Sequence, residues 1–308
     1  MKIEKIEVIP ISIPLRAPIR WPWGCRVEAS RTVVRITTDD GLIGYGETIS
    51  GDTVGILRGS ANKIIGEDPF NIERILAHYL MTPYFSGYSG YGAICGLEMA
   101  CWDIMGKATG KPVCDLLGGR YFDRIDTSAY IFARYESNGE GGEDTPERWV
   151  AFCQRLARDH GFKVFKYKGG VFEPDFDLDV LRLMRRNLGT KAKLRIDPNA
   201  NWGFETALRF GKEALALDLE YLEDPVWGLD TMARLRRDLH LPFATNMCVV
   251  DFDTLPTGIR LGSVDIVLAD PHKWGGLWQT KKLAAVCQAF GLGMGIHSGA
   301  EAGISTAA

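Results

Sequence analysis

The chain has 308 residues, with 36 basic and 39 acidic side chains and a formal net charge of −3. This length allows a barrel-sized core beside a smaller domain, whereas the nearly balanced charge provides no field to hold nucleic acid or an anionic membrane surface. A small-molecule function is therefore the better interpretation.

The cysteines and the amino terminus indicate a cytoplasmic protein. The seven cysteines form an odd set without a CxxC pair, so they predict neither a disulfide framework nor a zinc ribbon. Residues 1–15 alternate apolar and polar side chains as a strand does, where a signal peptide would show an unbroken apolar run. No stretch reaches the roughly 20 apolar residues that cross a bilayer.

The first part of the chain predicts an α+β domain. Residues 1 to about 48 alternate as antiparallel strands, with a hairpin turn at Asp39-Asp40-Gly41. From residue 52 to about 120 the spacing is helical, and the segment CGLEMACWDIMGKATGKPV is closed by Gly110 and Pro112. We assign residues 1–124 to this N-terminal capping domain.

Seven strand-plus-helix repeats follow and predict an α/β fold with parallel strands, a TIM-type (β/α) barrel over residues 125–308. No GxGxxG phosphate turn follows a strand, which favours a barrel over a doubly wound sheet. The chain ends before an eighth strand, and we expect it to be a fragment of a longer enzyme. The seven apolar runs are TSAYIFA, FKVFKYKGG, AKLRIDPNANW, LEYLEDP, FATNM, VDIVLADPH and LGMGIHSG.

Two segments rich in Gly, Pro or charge, residues 16–29 and 136–145, predict loops, the second a solvated connection between domains. In the first, Trp21 and Trp23 stand beside Arg20. They either cover a pocket and contact substrate or pack the cap against itself, and the sequence leaves both interpretations open.

Polar side chains follow six successive barrel strands. Taken singly, each has an ordinary explanation as a helix cap, a turn residue or a structural histidine. Six in succession, spaced by about one strand-helix unit, indicate one rim at the carboxyl ends of the strands, where barrels build their sites. These residues are Lys166 and Lys168, Asp197 and Asn199, Glu223, Asn246, Asp270, and His297.

Three of these residues predict a metal site. Asp197, Glu223 and Asn246 offer hard oxygen ligands on consecutive strands, which suit Mg²⁺. Two carboxylates and an amide leave the ion net positive, which favours an anionic substrate. Removing a proton α to a carboxylate needs such a cation together with a matched base.

The remaining residues predict the bases. Lys166 and Lys168 are two apart on a strand and face the same way, so each ammonium disfavours charge on the other. We therefore expect a lowered pKa for whichever lysine acts as the base, and we choose Lys168. Asp270 and His297, on neighbouring strands, could form a dyad in which the carboxylate fixes the imidazole tautomer. His297 would then act on the opposite face of the substrate.

These motifs resemble the enolase superfamily, of the mandelate racemase and muconate lactonizing enzyme type, over nearly the whole chain. GYGET, the cap helix and LLGG carry the likeness in the cap. Most relatives in the superfamily have a carboxylate at the position of Asn246. An Asn at this position is similar to the glucarate dehydratase group. The barrel segments that resemble this group are FKYKGG, DPNANW, EDP, ATNM, LADPHKW and FGLGMGIHS.

The resemblance implies a Mg²⁺-dependent acid-sugar dehydratase, with a small-molecule substrate and a homo-oligomeric assembly. It implies that Asn199 holds the substrate carboxylate or the enolate oxygen and that Lys166 stabilises its charge. His297 would remove the α-proton of one epimer and protonate the departing β-hydroxyl, while Lys168 would serve the other configuration. Trp21, Trp23 and Ser298 would contact the substrate.

Two alternatives remain at this point. The same bases would permit a 2-hydroxy acid racemase or epimerase, and an inactive paralogue could partner a full-length enzyme. The chain also departs from the glucarate dehydratase pattern after Ser298, where it has Gly299, Ala300 and Glu301 in place of a pair of Asn and a His. The identity of the acid sugar therefore stays open.

Overall fold

The structure, a computed structural model, describes residues 1–81 and 87–308. It contains a three-stranded antiparallel sheet and a seven-stranded parallel sheet. The predicted architecture, a cap followed by a (β/α) barrel sheet, is confirmed. No helix within the described ranges has the length and apolar character needed to span a membrane.

The antiparallel sheet runs in the order β1-β2-β3. Our prediction of a loop over residues 16–29 is wrong, because β1 and β2 pair almost to the turn between them, with Ile19 opposite Arg26 and Arg20 opposite Cys25. A register shift between Pro14 and Ile19 accommodates the irregular stretch. The three strands are β1 Ile3–Trp21, β2 Gly24–Thr38 and β3 Ile43–Ile49.

This long hairpin is extended because it pairs with the barrel. The backbone N–H of Arg20 donates to the carbonyl oxygen of Ala133 at 2.8 Å, and the N–H of Tyr135 donates to the carbonyl oxygen of Pro18 at 2.9 Å. Backbone groups that would otherwise need water are thereby satisfied across the two domains. The pairing is tertiary, and no local sequence signal announces it.

The cap helices pack on the antiparallel sheet at very short range. A Cβ atom at Gly46 would lie 2.0 Å from the carbonyl oxygen of Gly96, and one at Gly44 would lie 2.2 Å from that of Ala100. The two glycines of GYGET thus let the third helix rest directly on β3. The cap helices are α1 Asp52–Ser60, α2 Ile72–Leu80, α3 Tyr88–Thr109 and α4 Val113–Leu116, with a 3₁₀ turn at Ala61–Ile64.

All seven predicted barrel strands are present, and neighbours in sequence pair in parallel from the first to the last. Their carboxyl ends therefore share one rim. Within the described residues the first and last of these strands are the two edges of the sheet. The strands are β4 Ser128–Ile131, β5 Val164–Tyr167, β6 Lys193–Ile196, β7 Leu219–Glu223, β8 Phe243–Thr245, β9 Ile266–Ala269 and β10 Gly293–Ile296.

The helices cover the outside of this sheet and bury their apolar side against it. In α6, for example, Val180, Leu181 and Met184 are fully buried in the same core as Leu194 and Ile196 of β6. The helices are α5 Pro146–His160, α6 Pro174–Leu188, α7 Phe204–Ala214, α8 Leu229–Asp238, α9 Leu255–Leu261, α10 Pro271–Trp274, α11 Leu277–Phe290 and α12 Ile304–Ala307, with a 3₁₀ turn at Leu215–Leu217.

The segment 136–145 is irregular, but it is not a connection between domains. It comes after β4, the first strand of the barrel sheet, and therefore lies within the barrel part of the chain. The buried carboxylate of Glu143 accepts from Nε of Arg134 at 3.1 Å and from Nη2 at 2.5 Å. A buried carboxylate with a bidentate arginine fixes a loop in place. The domain boundary after residue 124 stays a prediction; it falls between α4 and β4.

Candidate active site

Two buried carboxylates and two lysines form the centre of the site. Lys166 Nζ lies 2.6 Å from Glu223 Oε1 and 3.4 Å from Asp197 Oδ2, while Lys168 Nζ donates to Asp197 Oδ2. All four side chains are at most 5 % exposed. One ammonium group therefore spans both carboxylates, in surroundings from which water is nearly excluded.

The backbone that follows β6 and β7 is turned back sharply at the site. Asn199, Ala200 and Asp224 adopt the left-handed conformation, with φ of 53°, 56° and 36°. Non-glycine residues in this region cost of order 1 kcal/mol or more each and concentrate at functional sites. The turn directs the N–H of Asn199 to Asp197 Oδ1 at 2.8 Å, and the N–H of Ala200 to the carbonyl oxygen of Asp224 at 2.6 Å.

The charges of the lysines and carboxylates act on one another strongly. Burial disfavours the anion of Asp197, but Lys168 and Lys166 outweigh it and hold the pKa of this carboxyl well below its usual range. Burial and the nearby charge of Asp197 raise the pKa of Glu223. Burial lowers the pKa of Lys166, yet Glu223 and Asp197 raise it well above the ordinary value, because the ammonium pairs with carboxylates on the two following strands. Our expectation for the base, Lys168, stays a prediction.

The third predicted ligand, Asn246, completes the polar centre. Its Nδ2 donates to Glu223 Oε1 at 2.6 Å, and its Oδ1 accepts from Lys273 Nζ at 3.0 Å. Asp224 supports the turn from below, since its carboxylate accepts from Thr245 Oγ1 at 2.5 Å and from the N–H of Asn246 at 2.8 Å. Asn246 thus links the carboxylate pair on one side to the partly buried Lys273 on the other.

The donor set fits Mg²⁺ in its chemistry. Asp197, Glu223 and Asn246 carry hard oxygen atoms, and a cationic group, the ammonium of Lys166, already lies between the two carboxylates. Glu223 Oε2 is buried and makes no hydrogen bond within the described part of the chain, although it is 2.5 Å from Lys166 Nζ. Residues 1–81 and 87–308 contain no group of three His, Cys, Asp or Glu placed to hold a metal, because the third oxygen here is an amide.

Asp270 and His297 meet as a dyad at the neighbouring strand ends. His297 Nδ1 lies 2.9 Å from Asp270 Oδ2, and the N–H of His297 donates to the carbonyl oxygen of Ala269 at 2.7 Å. Burial lowers the pKa of His297 to about 4, with Asp270 opposing this shift and the charge of Lys166 adding to it. At neutral pH the imidazole is therefore uncharged, with Nδ1–H on the carboxylate and a lone pair on Nε2.

Aromatic rings cover Lys168. The ring centroids of Trp21, Tyr130 and Phe132 lie 5.6, 5.7 and 5.9 Å from Lys168 Nζ. Trp21 also packs edge-on against Phe132 at 5.1 Å, so the hairpin brings this tryptophan to the site. Trp23 lies in the turn and is 66 % exposed, and no ring or cation contact joins it to the two lysines in the described structure.

Ser298 follows His297 at the rim of the site. Its exposed hydroxyl donates to Glu301 Oε2. Burial raises the pKa of the Tyr130 hydroxyl, and the backbone of Ser298 lies near enough to this hydroxyl to oppose the shift. Ser298 is therefore beside the site, with its side chain turned to its own loop.

Sequence reasoning missed three polar residues of the site. The hydroxyl of Tyr130 lies 3.4 Å from Lys166 Nζ, and extending the period of polar residues back to the first barrel strand would have found it. His272 and Lys273 lie within one turn after Asp270, in the segment LADPHKW. The sequence signal for them was Asp270 followed by Pro271, which is typical of the start of a helix. The helical turn that follows brings His272 back to the carboxylate of Asp270.

Family comparisons agree with this architecture. The model of the mandelate racemase / muconate lactonizing enzyme N-terminal domain matches residues 4–118, and the model described as enolase C-terminal domain-like matches residues 148–308. The chain belongs to the enolase superfamily, in its mandelate racemase and muconate lactonizing enzyme family.

Individual relatives indicate which members of this family the chain resembles. The chain is 36 % identical to a probable glucarate dehydratase from Streptomyces coelicolor, over 90 % of this chain and 70 % of that protein. It superimposes on an enolase described as a putative sugar isomerase from the same organism, with a TM-score of 0.92 and 40 % identity, over 99 % of this chain and 81 % of that one. An enolase from Thermobispora bispora complexed with magnesium and formate gives 0.91 and 33 %, over 99 % and 77 %. Other relatives are named as racemases and cycloisomerases.

Proposed function

We propose that the chain is a Mg²⁺-dependent acid-sugar dehydratase. The observation that carries the proposal is the arrangement of two bases around one pair of carboxylates. Lys168, after β5, pairs with Asp197, whereas His297, after β10, pairs with Asp270 near Lys166. Two bases that follow the second and the last strand of the seven-stranded sheet can address two faces of one bound carbon acid.

Asp197, Glu223 and Asn246 would hold the metal through their oxygen atoms. When bound, Mg²⁺ supplies the positive charge that makes a second negative charge on the substrate carboxylate tolerable. Lys166 would add a permanent positive charge to the site, because its ammonium is buried between the carboxylates. Asn199, whose Nδ2 donates to Asp197 Oδ2 at 3.2 Å, would help to hold the carboxylate or the enolate oxygen of the substrate.

His297 performs the proton transfers in this proposal. Its Nε2 accepts the α-proton, and the imidazolium that results is stabilised by Asp270, whose own pKa stays well below the usual range because hydrogen bonds from His272 and His297 outweigh burial. The same proton then passes to the β-hydroxyl as it leaves as water. Lys168 would serve a substrate of the opposite configuration, with the rings of Trp21 and Phe132 excluding water from it.

The same pair of bases supports a second candidate, a racemase or epimerase of 2-hydroxy acids. If one base removes the α-proton and the other returns a proton to the opposite face, the configuration inverts without loss of water. The presence of a leaving group on the β-carbon separates the two reactions. A β-hydroxyl favours elimination, and its absence leaves reprotonation.

Proton NMR in D₂O tests the proposal. The protein is incubated with Mg²⁺ and a panel of hexarates, aldonates and mandelate-like acids, with an EDTA-treated sample as the metal control. We expect loss of an α-proton signal and appearance of a keto-deoxy product with at least one acid sugar. Exchange without product would instead support epimerisation, and no exchange with any compound at saturating Mg²⁺ would contradict both reactions.

A further inference from the structure

A buried polar chain connects the cap to the His297 dyad. Arg31 on β2 donates from Nε to Glu47 Oε1 on β3 at 2.8 Å, and its Nη2 lies 3.0 Å from His272 Nε2 on α10. His272 Nδ1 in turn lies 2.8 Å from Asp270 Oδ1. Arg31, Glu47, His272 and Asp270 are each at most 3 % exposed in their side chains.

The partners of His272 determine its proton. An arginine guanidinium can only donate, so His272 Nε2 must accept and carries no hydrogen. The carboxylate of Asp270 can only accept while ionised, so Nδ1 must be the protonated nitrogen. Both contacts are satisfied by one form alone, the neutral Nδ1–H tautomer. An imidazolium would direct a second N–H at the guanidinium and lose the contact with Arg31.

This tautomer determines how Asp270 is used. Oδ1 accepts from His272 Nδ1 and from the backbone N–H of His272 at 2.9 Å, which leaves Oδ2 for His297. A neutral His272 does not cancel the charge of Asp270. The carboxylate therefore keeps its full negative charge for the imidazole of His297, at a fixed angle.

We propose that Arg31 and His272 are positioning residues, through which the cap sets the orientation and the charge partner of the base His297. The assignment of the tautomer stands on the contacts alone, while its role in turnover rests on the proposed function. Replacing a buried ion pair by apolar residues is often neutral or stabilising, so stability alone does not account for the pair of Arg31 and Glu47.

The groups around His272 are compatible with this assignment. Glu47 Oε1 and Oε2 accept from the N–H groups of Ala302 at 2.7 Å and Ser305 at 3.0 Å, so its charge is matched without His272. The Ser305 hydroxyl lies 3.1 Å from His272 Nε2 and donates to the carbonyl oxygen of Glu47 at 3.2 Å. That carbonyl oxygen is also 3.2 Å from Nε2, farther than the guanidinium nitrogen at 3.0 Å, so the guanidinium N–H is the group that decides the tautomer. On α3, burial raises the pKa of the Cys95 thiol well above its ordinary value, so this neighbour stays uncharged.

Histidine ¹⁵N NMR reads the tautomer without turnover. The chain has five histidines, and the His272→Asn variant assigns the signal. We expect wild-type His272 at pH 7 to show a protonated Nδ1 and an unprotonated Nε2. The double variant R31M/E47Q removes the donor and its counter-charge together, and we expect His272 to populate the Nε2–H form or the cation. Arg35→Met on the same strand, which breaks a pair with Glu7, is the matched control.

Kinetics test the link to His297. An Asn at 272 can place its Nδ2 where His Nδ1 donates, so we expect H272N to retain α-proton exchange within about threefold, while H272L loses about 10- to 100-fold in kcat with little change in KM. Equal losses in H272N and H272L would overturn the positioning role. A wild-type signal of Nε2–H or imidazolium would overturn the tautomer. If the tautomer is found but no acid exchanges, the inference on His272 stands and the proposed function fails.

Discussion

Lys166 lies between the two central carboxylates, 2.5 Å from Glu223 Oε2 and 3.4 Å from Asp197 Oδ2. In the protein without metal, this ammonium is the cation that makes two buried carboxylates tolerable. A divalent ion held by the same oxygens would compete with it. We therefore expect Lys166 to stabilise the metal-free protein and to lower its affinity for the ion.

Replacing Lys166 by Met separates these two effects. We expect K166M to lose about 3–5 kcal/mol of unfolding free energy without metal, because the buried carboxylate of Glu223 then loses its cationic partner. We also expect its affinity for Mg²⁺ to rise, by about tenfold, or roughly 1.4 kcal/mol. Denaturant unfolding with and without Mg²⁺ and titration calorimetry measure both quantities.

The control is Lys193→Met, which breaks an exposed pair with Glu220 at 2.9 Å. Exposed pairs contribute between about 0 and 1 kcal/mol, so K193M is expected to change neither stability nor Mg²⁺ affinity appreciably. Weaker Mg²⁺ binding by K166M than by the wild type would show that Lys166 does not compete with the ion.

The two bases are expected to divide their substrates by configuration. H297N should abolish α-proton exchange for one epimer, lowering its rate by about 10²- to 10⁴-fold, while leaving the other epimer within a few fold. K168M should show the reverse pattern. Exchange into each member of an epimeric pair is followed in D₂O. Loss of both epimers in both variants would show that the residues act on the same proton.

His297 is expected to make stability depend on pH. Because burial lowers its pKa to about 4 in the folded protein, against about 6.5 when unfolded, the unfolded chain binds one more proton between these values. This contribution is fully present above pH 6.5 and is lost as pH falls towards 4, up to about 3 kcal/mol. Comparing the pH profiles of wild type and H297N by urea unfolding isolates it. Parallel profiles would contradict the assignment.

The short contact between β3 and α3 gives a packing prediction. Gly46→Ala should cost about 3 kcal/mol or more, because its Cβ would meet the backbone carbonyl of Gly96 and the helix must move. Gly55→Ala, in α1 with nothing within 4 Å of the added atom, should be neutral or stabilising by about 1 kcal/mol. Thermal unfolding of both variants checks this. A similar loss of stability in both variants would show that the close contact between Gly46 and Gly96 is not its cause.

The barrel strands and the polar rim could be predicted because each strand repeats one local pattern, an apolar run that ends in a polar residue. The hairpin over residues 16–29 could not, since its Pro and Gly residues indicate a loop, whereas in the structure β1 pairs with β2 and also with Ala133 and Tyr135. The charge surroundings of Lys166 could not be predicted for a related reason. Its neighbour in sequence is a cation, but its neighbours in space are anions from two other strands.

The residues proposed to act through Asp270 also could not be predicted from the sequence. Arg31 and Glu47 are separated from His272 by more than 200 positions along the chain, and nothing in an alternating strand distinguishes a buried arginine from an exposed one. Asp270 itself could be predicted, but not the division of its two oxygens between two histidines. That division exists only where α10 begins.

The hairpin that carries Trp21 is attached to the barrel by main-chain hydrogen bonds at Pro18, Arg20, Ala133 and Tyr135. Main-chain bonds do not depend on which side chains the hairpin bears. The side chains near the turn of the hairpin are therefore free to vary. Trp23, Cys25 and Val27 can be replaced without breaking the main-chain hydrogen bonds that hold the strand of Trp21 to the barrel. Such a segment can change the side chains at its tip through single substitutions while the lysines and carboxylates beneath it stay in place.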